Sequence, residues 1–399
     1  MKLTERHKIN KIKYPKYYKL FENFAKESNS LYNQGLYEIK KNLKIYNKFL
    51  SYNTLDKICK NKPEKYNPYR RLPAQTAQQT LKILTTDISN YIRSIKDWSK
   101  NKAKYLGKPK FPNYKKSGDV NTFYLTNQQI KIKGDIILFP KVFAGFFIKV
   151  RSNFTQINQI RIKPQIDSFI VEAIYTIPDK PKNIGENIAG IDLGVKNLVA
   201  LTFSNFKSPY LFRGARMVKY NYEFNSKKAK YQYILEKTQN KRSSKRLSRI
   251  YTNRNNFINN YFHTLSKKII DLLIEANISK LVIGHNVNQK QNNNLKNFVS
   301  LPIFRLIALL KYKGEKSGIE VLEINESYTS GTSFVDYELP NKKNYDKKRR
   351  VTRDVFISNE GFKYDADVNA SYQIIRKAKP EFTFNGNYEK LSPIHVYNI

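Results

Sequence analysis

Acidic residues and cysteine are scarce in this chain of 399 residues. Asp and Glu number 32 against 73 Lys and Arg, which gives a formal net charge of +41. Cys59 is the single cysteine, so disulfide frameworks, cysteine zinc ribbons and iron–sulfur clusters are excluded. The four histidines lie far apart in the sequence, which argues against a histidine metal cage. The N-terminus lacks an apolar signal-peptide core and no apolar run is long enough for a bilayer, so we expect a soluble intracellular protein.

The excess of positive charge predicts a polyanionic partner. Aromatic residues accompany it, with 29 Tyr and 24 Phe, and 40% of the chain is hydrophobic, which is enough to build folded cores. A membrane-surface protein usually concentrates its basic residues in one amphipathic helix or one juxtamembrane cluster. Here they are spread along the whole chain between Tyr and Phe, a mixture typical of phosphate contacts combined with base stacking. The composition therefore favours nucleic acid over a membrane.

The first half of the chain changes from helical to strand periodicity. A short basic strand is expected near the N-terminus, and apolar residues at helical spacing follow from about residue 20 to residue 99. Residues 100–116 hold seven Lys and no acid, and Gly107, Pro109 and Pro112 prevent regular structure there. Alternating segments over residues 120–178 predict a small antiparallel barrel or sandwich.

The second half begins with strands and continues with alternating helices and strands. Residues 187–203 predict a two-stranded hairpin, and a basic helical region follows in which residues 227–254 hold ten Lys or Arg against one acid. An amphipathic helix near 255–276, a strand at 280–284, a helix near 303–316, a strand at 319–325 and a helix beginning near Asp367 complete the pattern. This order is typical of an α/β fold of the ribonuclease H type.

Two of the few acidic residues in this chain are aspartates at positions that need an explanation, one in an apolar strand and one at the start of a helix. Asp192 lies inside the apolar strand predicted at 188–194, where an unpaired carboxylate costs several kcal/mol. It is either paired to a lysine such as Lys196 or a ligand for a divalent metal, which carboxylate oxygens suit. Asp367 lies at a helix start, where Asp is often only a cap. Because Asp365 is able to provide that cap, Asp367 is free to face the sheet.

Three motifs in this order resemble the RuvC-type nuclease core of the OrfB/TnpB family: GIDLGVKNL, ESYTSGTSF and DADVNASYQIIRK. These are transposon-encoded, RNA-guided DNA endonucleases of prokaryotes, related to the type V CRISPR effectors. GKPKFPNYKK at 107–116 also resembles the N-terminal half of that family. The resemblance implies a guide RNA, double-stranded and single-stranded DNA as substrates, Mg²⁺-dependent cleavage beside a short flanking motif, and a location in the cytosol or nucleoid.

The resemblance also implies the domain organisation. A β-barrel (wedge) domain at 1–20 and 118–180 would be interrupted by a helical recognition domain at 21–117. The RuvC nuclease domain would comprise 186–330 and 364–378. A basic insert at 331–363 and a C-terminal tail at 379–399 would complete the chain.

The family's second catalytic acid is a Glu at the end of the strand that here reads Lys280–Gly284, and this chain has Gly284 in its place. The next strand leads to Glu326, which precedes Ser327-Tyr328-Thr329. Because adjacent strands lie about 4.8 Å apart, Glu326 is able to reach the same point. The resemblance thus implies catalytic and metal-binding roles for Asp192, Glu326 and Asp367 around two Mg²⁺ ions. The alternative is a dead nuclease in which Glu326 is a surface acid.

The family usually carries two cysteine pairs between the second and third motifs. Residues 331–363 contain no cysteine, so we expect no zinc. They hold eight Lys and Arg, seven of them between 342 and 353, and this basic run is either a solvated loop or a guide for the substrate strand.

Two basic segments and one helix are candidates for nucleic-acid contacts. In the loop and the basic helical region the candidates are Lys108, Lys110, Lys241, Arg242, Lys245, Arg246 and Arg249. Gln75, Gln78 and Gln79 share a helical segment and are either readers of adenine edges or a solvated polar face. Two rival functions remain open at this level: a nuclease-dead, RNA-guided repressor, and a DNA transposase that needs no RNA.

Overall fold

The structure is a computed structural model that describes residues 1–154, 156–286 and 301–397. The chain divides into two compact units, Met1–Pro178 and Asp179–Ile399. This boundary coincides with the Pro178-Asp179-Lys180-Pro181 segment. Within the described residues, no helix has the length and apolar character needed to cross a membrane.

The first unit contains three helices, α1 (Pro15–Tyr46), α2 (Tyr52–Lys60) and α3 (Ala74–Lys100). Apolar residues recur at helical spacing on each of them, and their stripes meet in one core that includes Leu36, Leu55 and Leu84. The predicted helical region is therefore present. Cys59 is buried in the same core.

The strands of the first unit form two sheets. Strands β1 (Lys2–Asn10), β2 (Phe123–Thr126), β6 (Gln156–Gln165) and β7 (Ser168–Thr176) make an antiparallel sheet in the order β1-β7-β6-β2. The three-residue strands β3 (Lys131–Lys133), β4 (Ile136–Leu138) and β5 (Phe147–Lys149) make a second, separate sheet.

The predicted β-barrel is not closed among the described residues, since the sheets remain separate. The N-terminal part of α1 fills their shared core instead. Phe21 is fully buried and its ring lies edge-on to Phe123, Phe146 and Phe169. The sequence pattern showed the strands but not that a helix supplies the missing wall.

The second unit is built on a six-stranded sheet in the order β12-β11-β8-β9-β10-β15. The strands are β8 (Ile188–Asp192), β9 (Asn197–Phe203), β10 (Tyr210–Arg213), β11 (Lys280–Gly284), β12 (Glu320–Ile324) and β15 (Ile394–Val396). Strands β8, β11 and β12 are parallel, and β9 pairs antiparallel with β8. This is the predicted mixed α/β arrangement.

Among the described residues, the second unit has the helices α4 (Ala215–Gln239), α5 (Lys245–Glu275), α6 (Ile303–Lys316) and α7 (Ala366–Ala378). Alternate residues of the sheet face opposite cores. Ala189 and Ile191 share one core with α5 and α6, whereas Ile188 and Val282 share the other with α7. A short hairpin of β13 (Val355–Ile357) and β14 (Lys363–Asp365) precedes α7.

Helix α7 lies unusually close to the sheet. A β-carbon on Gly190 would be 2.4 Å from the carbonyl oxygen of Ser371, so only glycine fits there. The Ser371 hydroxyl donates to the Gly190 carbonyl oxygen over 2.9 Å. This contact fixes the middle of α7 against the middle of β8.

The segment predicted as a C-terminal tail contributes to this sheet. Ile394–Val396 pairs in parallel with β10, which sequence periodicity did not reveal because the strand is only three residues long. Helix α5 also begins earlier than predicted, at Lys245 rather than near 255, since its first turns are too polar to show an apolar stripe.

Candidate active site

Three carboxylates meet at the edge where the parallel strands end. Asp192 is the last residue of β8, Glu326 follows the end of β12, and Asp367 lies in the first turn of α7. All three line one cleft of about 640 Å³. The carboxyl ends of parallel strands are where α/β folds place their ligands.

The start of α7 shows the predicted division of labour between two aspartates. Asp365 caps the helix, because its Oδ1 accepts hydrogen bonds from the backbone N–H groups of Asp367 (2.9 Å) and Val368 (3.0 Å). The Asp367 side chain is therefore not needed as a cap. Its Oδ2 accepts from Asn197 Nδ2 at 2.8 Å and its Oδ1 from Arg350 at 2.7 Å.

Glu326 lies beside Gly284, the position at which the family carries its second catalytic acid. A β-carbon built on Gly284 would lie 3.2 Å from Cβ of Glu326. The Glu326 carbonyl oxygen accepts hydrogen bonds from the backbone N–H and the hydroxyl of Thr329, at 3.2 and 2.8 Å. The threonine of the Tyr-Thr-Ser motif thus fixes the turn that carries the acid.

Glu323, the neighbouring acid on β12, does not line the cleft. Its carboxylate pairs with Lys311 of α6 and lies 3.5 Å from His285 Nδ1. Glu326 is three residues further along and lines the cleft instead, as two-residue alternation predicts.

Burial is the main influence on Asp192 in the cleft, and charge repulsion adds to it. Burial raises the pKa of Asp192 well above its usual value, and the negative charges of Asp367 and Glu326 raise it further, while Arg350 lowers it. The alternative pairing with Lys196 does not occur, because that ammonium group pairs with Asp354.

The donor set fits a divalent metal ion in its chemistry. Carboxylate oxygens are the ligands that Mg²⁺ prefers. Repulsion from the other two carboxylates adds to the effect of burial in raising the pKa of Asp192, and a bound cation would relieve that repulsion. Among the residues that the structure describes, however, no three His, Cys, Asp or Glu side chains are already drawn together as a ligand set. The Arg350 guanidinium bonded to Asp367 Oδ1 would have to share or leave that oxygen.

Sequence reasoning missed two residues at this site, Arg350 and Asn197. Arg350 was only one of eight basic residues in the insert, yet it bonds directly to Asp367. Asn197 belongs to the GVKNL motif, and its amide links Asp367 to Arg213. The motif was the available signal for Asn197, whereas nothing in the basic run distinguished Arg350.

Known proteins share both the sequence and the fold of this unit. A family model named OrfB_IS605, described as a probable transposase, matches residues 169–290, and one described as Cas12f1-like, TNB domain, matches 304–374. The TnpB-like protein ORF457 of Acidianus two-tailed virus is 25% identical over 236 residues, 54% of this chain. In sequence, the chain is therefore similar to TnpB-like proteins.

The match to the viral relative covers 48% of its length, so the chain spans about half of the curated relative it matches. A cryo-EM structure of a Cas12f1–sgRNA–target DNA complex is similar in fold, with a TM-score of 0.54 and 17% identity over 91% of this chain and 84% of that one. This likeness supports the mixed α/β fold that the TnpB motifs implied.

An arginine organises the insert at 331–363. Arg349 is mostly buried and its guanidinium forms ion pairs with Asp336 and, over 2.6 Å, with Glu338. The guanidinium also stacks on Phe356, 5.2 Å from the ring centroid. The basic run is thus not uniformly a solvated loop.

The predicted nucleic-acid residues differ in their surroundings. Gln75 is engaged within the first unit, with its amide bonded to Gln128 and Thr126, so it is not free to read a base in this conformation. Gln78 and Gln79 lie half-buried on α3, and Lys108 lies 5.7 Å from the Trp98 ring centroid. The basic candidates that project outward around the junction of α4 and α5 are Lys241, Arg242, Lys245, Arg246 and Arg249.

Proposed function

We propose that this protein is an RNA-guided DNA endonuclease that hydrolyses target DNA beside a short flanking motif. The observation that carries the proposal is that Asp192, Glu326 and Asp367 line one cleft, where burial and repulsion from the other two acids raise the pKa of Asp192. A binding protein without chemistry has no reason to hold three acids together in a chain of net charge +41.

Asp192, Glu326 and Asp367 would hold two Mg²⁺ ions. Bound there, the metal lowers the pKa of an attacking water and stabilises the leaving 3′-oxygen of the cleaved phosphodiester. No zinc is part of this proposal, because the insert lacks cysteine and Arg349 with its two acids occupies its interior.

The protein's own cations would bind the scissile strand. Arg350, Arg353 and Lys196 line the same cleft as the carboxylates, so a phosphate entering it meets positive charge on the side of the insert. Asn197 keeps Asp367 oriented through its amide while Arg350 exchanges Asp367 for the substrate phosphate. Sequence specificity would come from pairing of the target strand with the guide RNA.

The experiment for the guide is extraction and sequencing of RNA from the purified protein. We expect RNA with one defined 3′ end, released as salt is raised, because phosphate contacts weaken steeply with ionic strength. RNA of random sequence and length would contradict the guide and favour the RNA-independent transposase.

A further inference from the structure

A second cavity, of about 690 Å³, adjoins the carboxylate cleft. The two share Val195, Lys196 and Arg353 as lining residues, so they are continuous along one wall. None of the predicted site residues lies in this second cavity. Its size is within the range of about 300–1,000 Å³ that small-molecule sites occupy.

The far wall of this cavity is aromatic and apolar. Tyr222 of α4 and Tyr397, directly after β15, line it together with Val218. The two tyrosines are 74% and 63% exposed, although burying an aromatic ring is normally favourable. Two exposed rings in one concave site are typical of a surface on which a planar group stacks.

The charged residues of the cavity are all of one sign. Lys196, Arg213, Lys219 and Arg353 line it, and no Asp or Glu does so among the residues described. A ligand that suits both the rings and the cations has a flat apolar part and a negatively charged part. A nucleotide has both, with its base as the flat part and its phosphate as the charge.

Arg213 connects this cavity to the catalytic carboxylates. Its guanidinium donates to Asn197 Oδ1 at 2.8 Å, lies 3.1 Å from His395 Nδ1, and lies 5.8 Å from the Tyr397 ring centroid. Asn197 in turn donates to Asp367. Two hydrogen bonds and one cation–π contact therefore connect Tyr397 to a carboxylate of the cleft.

We infer that this cavity binds the unpaired base of the DNA nucleotide next to the scissile phosphate, stacking it on Tyr222 and Tyr397. The inference rests on the proposed nuclease function and deepens it, because it assigns the substrate as a single strand with a splayed base. A base held in the second cavity leaves its neighbouring phosphate over the shared wall of Lys196 and Arg353.

The test must separate stacking from charge, because a chain of net charge +41 binds any oligonucleotide. We would compare fluorescein-labelled hexathymidylate with a hexamer of abasic tetrahydrofuran nucleotides, which has the same number of phosphates. Binding to the full-length protein is measured by fluorescence anisotropy in EDTA, so no cleavage occurs.

The wild-type protein is expected to bind the thymidylate at least about fivefold more tightly than the abasic strand. The Tyr222→Ala/Tyr397→Ala variant should lose that preference while its affinity for the abasic strand stays unchanged. Tyr233→Ala is the matched control, because Tyr233 is 65% exposed on the same helix but does not line the cavity. It should keep the full preference.

An equal preference in the double variant and in the wild-type protein would overturn the inference, as would a wild-type protein that shows no preference. Either result is independent of the nuclease proposal, which fails instead if RNA-loaded protein with Mg²⁺ never cuts a matched target. Intact cleavage with unchanged kinetics in the double variant would likewise reject the base site and leave the nuclease standing.

Discussion

Gly284 and Glu326, at the ends of neighbouring strands, border the same small volume: a β-carbon added to Gly284 would lie 3.2 Å from Cβ of Glu326. We propose that Glu326 substitutes on one strand for the acid that the family carries on its neighbour. The proposed cleavage should therefore depend strongly on Glu326.

Glu326→Gln should reduce DNA cleavage by about a thousandfold or more, which corresponds to about 4 kcal/mol of lost transition-state stabilisation. The amide keeps the size of the side chain but loses the charge that binds the metal. Single-turnover cleavage of a matched target by the RNA-loaded protein measures the loss.

Glu323→Gln is the control, since Glu323 pairs with Lys311 outside the cleft. It should cleave within about threefold of the wild-type rate. A dead Glu323→Gln beside an active Glu326→Gln would show that the wrong acid has been assigned.

Moving the acid back to position 284 should fail unless space is made for it. A β-carbon on Gly284 would lie 2.4 Å from Cδ1 of the buried Ile374, so the exchange of Gly284→Glu with Glu326→Gly introduces a clash. Adding Ile374→Ala to that pair should recover measurable cleavage.

The comparison is between the double and the triple variant in the same cleavage assay. If the double variant cuts as well as the triple variant, Ile374 does not prevent a glutamate from fitting at position 284. If neither cuts although both remain folded, the two strand ends do not serve one centre.

Arg349 and Arg350 show most clearly which features of the site the sequence could not predict. The strand ending in Asp192 and the helix starting at Ala366 were predictable, because apolar runs and a capping aspartate are local signals. The different partners of the side chains of Arg349 and Arg350 were not predictable. Those partners, Asp336, Glu338 and Asp367, lie 11 to 17 residues away in the sequence.

Arg349→Met should lower the midpoint of thermal unfolding by several degrees, because it leaves Asp336 and Glu338 mostly buried without their cation, at a cost of about 3 kcal/mol. Lys348→Met, at the exposed neighbouring position, should leave the midpoint unchanged. Circular dichroism on heating distinguishes the two.

The same ion pairs bear on metal content. Elemental analysis should find no stoichiometric zinc in the purified protein, because the insert offers no cysteine ligands. One firmly held zinc ion per chain would show that the insert is organised differently.

Lys313 should make stability depend on alkaline pH. Burial lowers the pKa of its ammonium group to about 8, although it donates to the His263 carbonyl oxygen and to Ser266 Oγ. The unfolded chain keeps this proton up to about pH 10.4, so between these values it binds more protons than the folded chain. Stability contributed by this site therefore rises with pH across that window.

Lys313→Met should flatten that dependence relative to the exposed Lys316→Met on the same helix, as followed by urea unfolding at pH 7.5, 9 and 10. Identical pH profiles for the two variants would show that the Lys313 proton is not released on folding.

We propose that three carboxylates at the strand ends support hydrolysis of DNA that pairs with a guide RNA, and one measurement tests this most directly. Wild-type protein and Asp192→Ala, each loaded with the RNA that co-purifies with the wild type, are given Mg²⁺ and a DNA target matched to that RNA. We predict that the wild type binds and cuts, whereas Asp192→Ala binds equally well and leaves the target intact. A wild-type protein that binds the matched target and never cuts it would contradict the nuclease and favour the repressor.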